Sequence, residues 1–141
     1  MRISFEAQNL EAVFDRLDNI IDEGNIKQAL GKACAVVERS AKEKAPKDTG
    51  ALRRSITSEI REEDGNPIGV IFTPLEYAPY IEYGTGLFAE EGGRMDVPWR
   101  YQDDKGEWHS TMGQKPQPFM RPALDQNREK IINILKEGIL K

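Results

Sequence analysis

The chain has 141 residues, of which 31% are charged, with a formal net charge of −4 and one cysteine, Cys34. That length suits a single domain, 1–141, with a real core; the acidic balance excludes a general grip on nucleic-acid phosphates, and a lone cysteine excludes an internal disulfide framework. The sequence has no run of eighteen apolar residues and no signal-like start, so a chain made in a reducing cytosol, without a membrane partner, is expected.

No internal repeat is visible. Ile3, Phe5 and Ala7 alternate, which predicts a short half-buried strand. From Asn9 the apolar residues Leu10, Val13, Phe14, Leu17, Ile20 and Ile21 fall at a helical period. A second helix is predicted from Asn25, an N-cap with Gln28 three positions on, along the face Ile26, Leu30, Ala33, Val37 and Ala41, until Pro46 forces the chain out. Cys34 lies on or beside that face and is expected to be a small buried hydrophobe, since no histidine is near in sequence to activate it.

Residues 46–56 read PKDTGALRRSI and contain Asp48-Thr49-Gly50-Ala51, the string that aspartic proteases carry at their catalytic carboxylate. Protease chemistry needs two such carboxylates sharing a proton between apolar strands. Here the string follows the polar end of a helix and precedes Arg53-Arg54, which would hold a nearby carboxylate ionised. A structural role is the more economical account: Asp48 or Thr49 caps a short helix over ALRRS, and Gly50 eases the bend into it.

Two alternating segments flank Asp64-Gly65, one with Ile56 and Ile60, the other with Ile68, Val70 and Phe72. They predict a β-hairpin ended by Pro74. The stretch YAPYIEYGTG places Pro79 at a helix start and Gly84 at its stop, with Tyr77, Tyr80, Ile81 and Tyr83 between or beside them. This segment is either a lid on the sheet or an aromatic contact surface. Residues 87–115 are rich in glycine, proline and charge. Within them Val97, Trp99 and Tyr101 alternate before Asp103-Asp104-Lys105-Gly106, and Trp108, Ser110 and Met112 after it, which predicts a projecting hairpin arm. The turn lacks the spaced oxygen ligands of a calcium loop, and His109, the single histidine, has no cysteine or carboxylate cluster at ligand spacing, so neither metal nor cofactor is expected. A last amphipathic helix is predicted to open at Pro122 and to carry Leu124, Ile131, Leu135 and Ile139 on one side.

Three blocks in order, AKEKAPKDTGALRRSI, YAPYIEYGTG and QPFMRPALDQNREKI, resemble the tail-component family of tailed bacteriophages typified by the tenth gene product of a lambdoid siphophage. The resemblance implies a small α+β subunit: an antiparallel sheet packed against a long helix of the N-terminal half and a C-terminal amphipathic helix, with the arm projecting. It implies a non-enzymatic virion protein of the neck or tail-completion apparatus, assembled in the host cytoplasm. Its expected partners are further copies in a ring, other neck and tail proteins, and DNA that passes loosely through the channel. The residues expected to carry the structural motif are Pro46, Asp48, Thr49, Gly50, Leu52, Gly84 and Pro122. Those expected at interfaces are Tyr77, Tyr80, Tyr83, Trp99, Tyr101 and Trp108. The alternatives are a tail-terminator ring, a small protein-binding regulatory module, and an aspartic-protease-like enzyme using Asp48.

Overall fold

The computed structural model describes residues 1–6, 23–47, 50–90 and 97–139. The helix expected from Asn9, and the cap expected from Asp48 or Thr49, lie outside the described residues. The chain divides into two compact units, one formed by Met1–Pro74 with Phe119–Lys141 and the other by Leu75–Pro118. The segment of three tyrosines therefore belongs to the same unit as the hairpin arm. The fold class is α+β.

In the first unit, strands β1 (Arg2–Glu6), β2 (Thr57–Glu63) and β3 (Asn66–Phe72) form an antiparallel sheet in the order β1-β3-β2. Asp64 and Gly65 turn the β2–β3 hairpin at φ of 53° and 78°, the pair of left-handed residues that a two-residue hairpin needs. Being central, β3 is buried from Ile68 through Ile71, and its apolar run is continuous rather than alternating. Gly69 lies opposite both Phe5 and Ile60 in the two registers.

Helix α1 (Glu23–Lys44) packs on this sheet. Its buried side chains, Ala29, Leu30, Ala33, Cys34, Val37 and Ala41, recur at the spacing of one helical face. Ser58 on β2 donates to the Glu38 carboxylate at 2.7 Å, and Lys27 pairs with Glu62 at 3.1 Å, so polar contacts fringe the apolar one. Asn25 lies inside the helix and does not start it, which corrects the expected N-cap. Glu23 and Gly24 offer no obstacle to helical backbone beyond glycine's modest entropic cost, and burial of the following face outweighs a local capping preference.

Helix α2 (Ala51–Ser55) is short, and Ile56 after it is buried at the entry to β2. The predicted C-terminal helix is two helices, α4 (Met120–Asp125) and α5 (Arg128–Ile139); α3 belongs to the other unit. Pro122 lies within α4, so the helix opens two residues earlier than predicted. The break has a visible cause in Asn127, whose amide nitrogen donates to the Ala123 carbonyl at 2.7 Å, while its own carbonyl accepts from Ile131 at 2.8 Å. Asparagine thus closes one helix and opens the next. Ile131 and Leu135 are buried on α5, and a Cβ placed on Gly138 would stand 2.6 Å from Ala29 Cβ, a measure of how closely α5 approaches α1. Each fully buried leucine or isoleucine of this core contributes on the order of 1.5–3 kcal/mol of apolar transfer.

The second unit contains α3 (Ala78–Tyr83), a 3₁₀ turn at Gly86–Phe88, and a hairpin of β4 (Trp99–Gln102) and β5 (Trp108–Thr111). It is tied by backbone bonds from Thr85 to Gln114 at 2.9 Å and from Leu87 to Met112 at 3.0 Å. Gly86 and Gly113, both at positive φ, meet there so closely that a Cβ on either would overlap the facing backbone. Among the described residues no helix is long and apolar enough to cross a membrane.

Candidate interaction surface

Pro79 in its first turn and Gly84 at its C-terminus, with φ of 82°, bound α3 as the sequence predicts. Between them the helical period sorts the side chains. Ala78 and Glu82, four apart, are buried, while Tyr77, Tyr80 and Tyr83, three apart, are 42%, 59% and 41% exposed. The tyrosines thus form an outward aromatic row. Leu87, Phe88, Tyr101, Trp108 and Met112 are also exposed in the same unit. Among the described residues, nine large hydrophobic side chains are exposed, and eight of them lie between Leu75 and Pro118, the ninth being Ile60. Trp99 differs from the other aromatic candidates. It is half-buried, and its ring comes within 2.8 Å of where a Cβ on Gly86 would stand, so it packs within its unit.

The hairpin presents its aromatics with charge beside them. Arg100 lies over the Trp108 ring at 5.3 Å from the centroid, and Tyr101 stacks on His109 at 5.4 Å. In the turn, one oxygen of Asp103 accepts from the backbone N–H of Lys105 and of Glu107, each at 2.9 Å, and the other is 2.7 Å from His109 Nε2. The His109 hydrogen bond, then that from the Glu107 N–H, holds the Asp103 carboxyl below its ordinary value of 3.8. The turn also brings Asp103, Glu107 and His109 together, with one ligand atom of each within 4.8 Å of the others. That corrects the expectation that His109 has no carboxylates at ligand spacing; the five-residue loop folds two of them back. With both Asp103 oxygens already bonded to the hairpin itself, the cluster's evident chemistry is to clasp the turn.

In the first unit, Gly50 takes φ of 78° at the start of α2, a left-handed bend that glycine alone adopts freely, and its carbonyl accepts from the Arg54 N–H at 3.0 Å. Leu52 on the same helix is buried, and Pro46 follows the last turn of α1. Arg53 helps line an open groove with Ala35, Glu38, Arg39, Lys42 and Glu43. Its Nε and Nη2 are buried and meet no hydrogen-bond acceptor among the described residues. A second, more apolar groove runs between β1 and α5, with Phe5, Leu124, Ile132 and Leu135 in its walls. Sequence reasoning missed the Arg53 groove. The signal available was the excess of basic residues over 23–55, eight against four acidic.

Cys34 is buried on the sheet-facing side of α1, and burial pushes its thiol up to about 11. A thiol so disposed is no nucleophile at neutral pH.

Comparison with known families places the chain beside bacteriophage proteins. Residues 8–84, more than half of the chain, fit the family described as "Bacteriophage HK97-gp10, putative tail-component". The match takes in the PKDTGALRRSI segment and α3 and ends at Gly84, so the third of the resembling blocks lies beyond it. No curated protein and no solved structure matches the chain.

Proposed function

The chain belongs to the HK97-gp10-like family of bacteriophage tail components, and from that premise we propose that it acts in the neck or tail-completion apparatus, as a ring around the DNA channel where head meets tail. The observation that carries this reading is the concentration of exposed apolar side chains in residues 75–118. A monomer gains nothing from eight such side chains held at its surface, and clusters of this kind mark protein contacts. Tyrosine and tryptophan, the residues that anchor interfaces, supply Tyr77, Tyr80, Tyr83, Tyr101 and Trp108 of the set. A head-to-tail contact that closes on itself makes a cyclic assembly and covers such surfaces on every copy.

Two further features support the reading. The net charge of −4 suits a conduit that must hold phosphate weakly, because dense lysine and arginine contacts would retard passage of DNA. Asp48 stands two residues before a glycine bend that opens a short helix, a setting that supports a structural role over a catalytic one. Deleting the gene in its phage tests the function: DNA-filled heads and free tails that do not join are expected, and infectious particles in normal yield would refute the placement at the neck.

A further inference from the structure

The charge of this chain is divided between its two units, and the division identifies a pair of faces. Residues 75–118 carry eight acidic and four basic side chains, so that segment alone accounts for the whole net charge of −4. The other unit is balanced overall but not locally. Residues 23–55, which form α1 and α2, carry eight basic and four acidic side chains, the mirror of the first count. Exposure sharpens the contrast. Among the described residues of this stretch, Lys27, Lys32, Arg39, Lys47 and Arg54 are exposed, and Glu43 is the one acidic residue equally exposed.

The groove on this basic face sets three basic side chains, Arg39, Lys42 and Arg53, against Glu38 and Glu43. Lys42 is paired with Glu38 at 3.0 Å, Arg53 lines the groove with its Nε and Nη2 buried and without a hydrogen-bond partner among the described residues, and Arg39 is exposed. The exposed Arg39 guanidinium is suited to a carboxylate or to stacking on an aromatic ring. The β4–β5 hairpin offers both within a few residues. Asp104 and Glu107 are exposed at its turn, and Trp108, 60% exposed, follows directly. Asp103 is already committed to the turn and is not free to reach outward.

We infer that the acidic, aromatic tip of the β4–β5 hairpin of one copy docks into the Arg39–Lys42–Arg53 groove of a second copy. The contact is heterologous, with a different face on each side, and so can repeat around a ring. It rests on the reading of the chain as a self-associating tail component and names the two faces that reading leaves open. Opposite charge on the two faces steers the encounter and fixes the partner, while Trp108 supplies apolar area.

Sedimentation velocity of the full chain across a concentration series at low salt provides the test. Self-association of the unaltered protein is expected, together with its weakening by added salt. Asp104→Lys with Glu107→Lys should reduce the association constant about tenfold or more, and Arg39→Glu with Lys42→Glu should do the same. An equimolar mixture of the two variants should associate again, because each new contact regains opposite charges. Association untouched by both reversals, or a mixture that stays dissociated, overturns the assignment of these faces, as does a chain that is monomeric throughout. Should a charge-reversed chain fail to fold, a second measurement decides. With cysteines at Ala35→Cys and Lys105→Cys in one chain, both at exposed positions, mild oxidation should give a ladder of linked copies, whereas either cysteine alone should give dimers at most. Monomers from the double variant refute the contact. Failure here leaves the neck assignment standing, since that is judged by whether heads and tails join in the gene deletion.

Discussion

Gly69 on β3 leaves the space that Cys34 on α1 fills: a Cβ at Gly69 would stand 2.6 Å from the Cys34 sulfur and 3.0 Å from the Phe5 ring. The register places Phe5 directly across from Gly69, and the helix brings Cys34 down on the same face. A glycine that weakens a strand by its lack of side chain is thus what lets α1 approach the sheet.

Gly69→Ala is therefore expected to destabilise the protein by about 1–3 kcal/mol, the range for forcing an extra methyl into a packed core. Chemical denaturation of the purified chain measures it. Combining the change with Cys34→Ala should recover part of the loss, because the sulfur is the nearest obstacle. Equal stability of Gly69→Ala and the parent would show that α1 lies farther from the sheet.

Cys34 should be silent toward thiol reagents in the folded state at neutral pH and react only on unfolding, which a colorimetric thiol assay with and without denaturant resolves. Its titration also sets a pH trend. The unfolded thiol loses its proton near the ordinary 9.0 and the folded one at about 11. Above pH 9 the unfolded state thus binds fewer protons, and stability falls as pH rises through that window. A Cys34→Ala variant should lose this increment of the alkaline decline.

At the hairpin turn the sign is opposite. The Asp103 carboxyl is held below its ordinary 3.8 by His109 first and by the Glu107 N–H second, so its contribution is fully present above that value and is lost as pH falls through the lowered one. Hydrogen exchange of the Lys105 and Glu107 amides, which donate to Asp103, reads this locally. Protection should disappear in Asp103→Ala at neutral pH, with the global melting temperature little changed. A large global loss would place the turn in the core.

Replacing residues 100–110 by a short Gly-Ser linker is expected to cost under about 1 kcal/mol in the main unfolding transition, since loop closure entropy grows slowly with length. Most of the side chains removed are exposed. The replacement is confined to 100–110 because the bonds joining Thr85 and Leu87 to Gln114 and Met112 belong to the unit that should survive. The same variant should lose self-association. Limited proteolysis of the parent should cut first in the 103–107 turn, and an initial cut within α1 would contradict the assignment of that helix to the stable core.

Much of this architecture is written locally and was legible in the sequence. The period of α1 from Leu30 to Ala41, the Asp64-Gly65 hairpin turn, and the Pro79 and Gly84 limits of α3 each follow from backbone preferences or side-chain spacing within a few residues, which the chain obeys wherever it lies. Other features were decided only by folding. Capping preference placed the start of α1 at Asn25, but burial of the whole face carries the helix past it, and Asn127 divides what periodicity reads as one C-terminal helix. Composition gives Trp99 and Trp108 the same standing, yet one packs near Gly86 and the other is exposed. Likewise a spacing of four and six residues says little about Glu107 and His109 meeting Asp103 until the turn closes. Burial and encounter depend on what the rest of the chain brings to a given place. That is a sum over contacts distant in sequence, and it has no counterpart in the residues taken a few at a time.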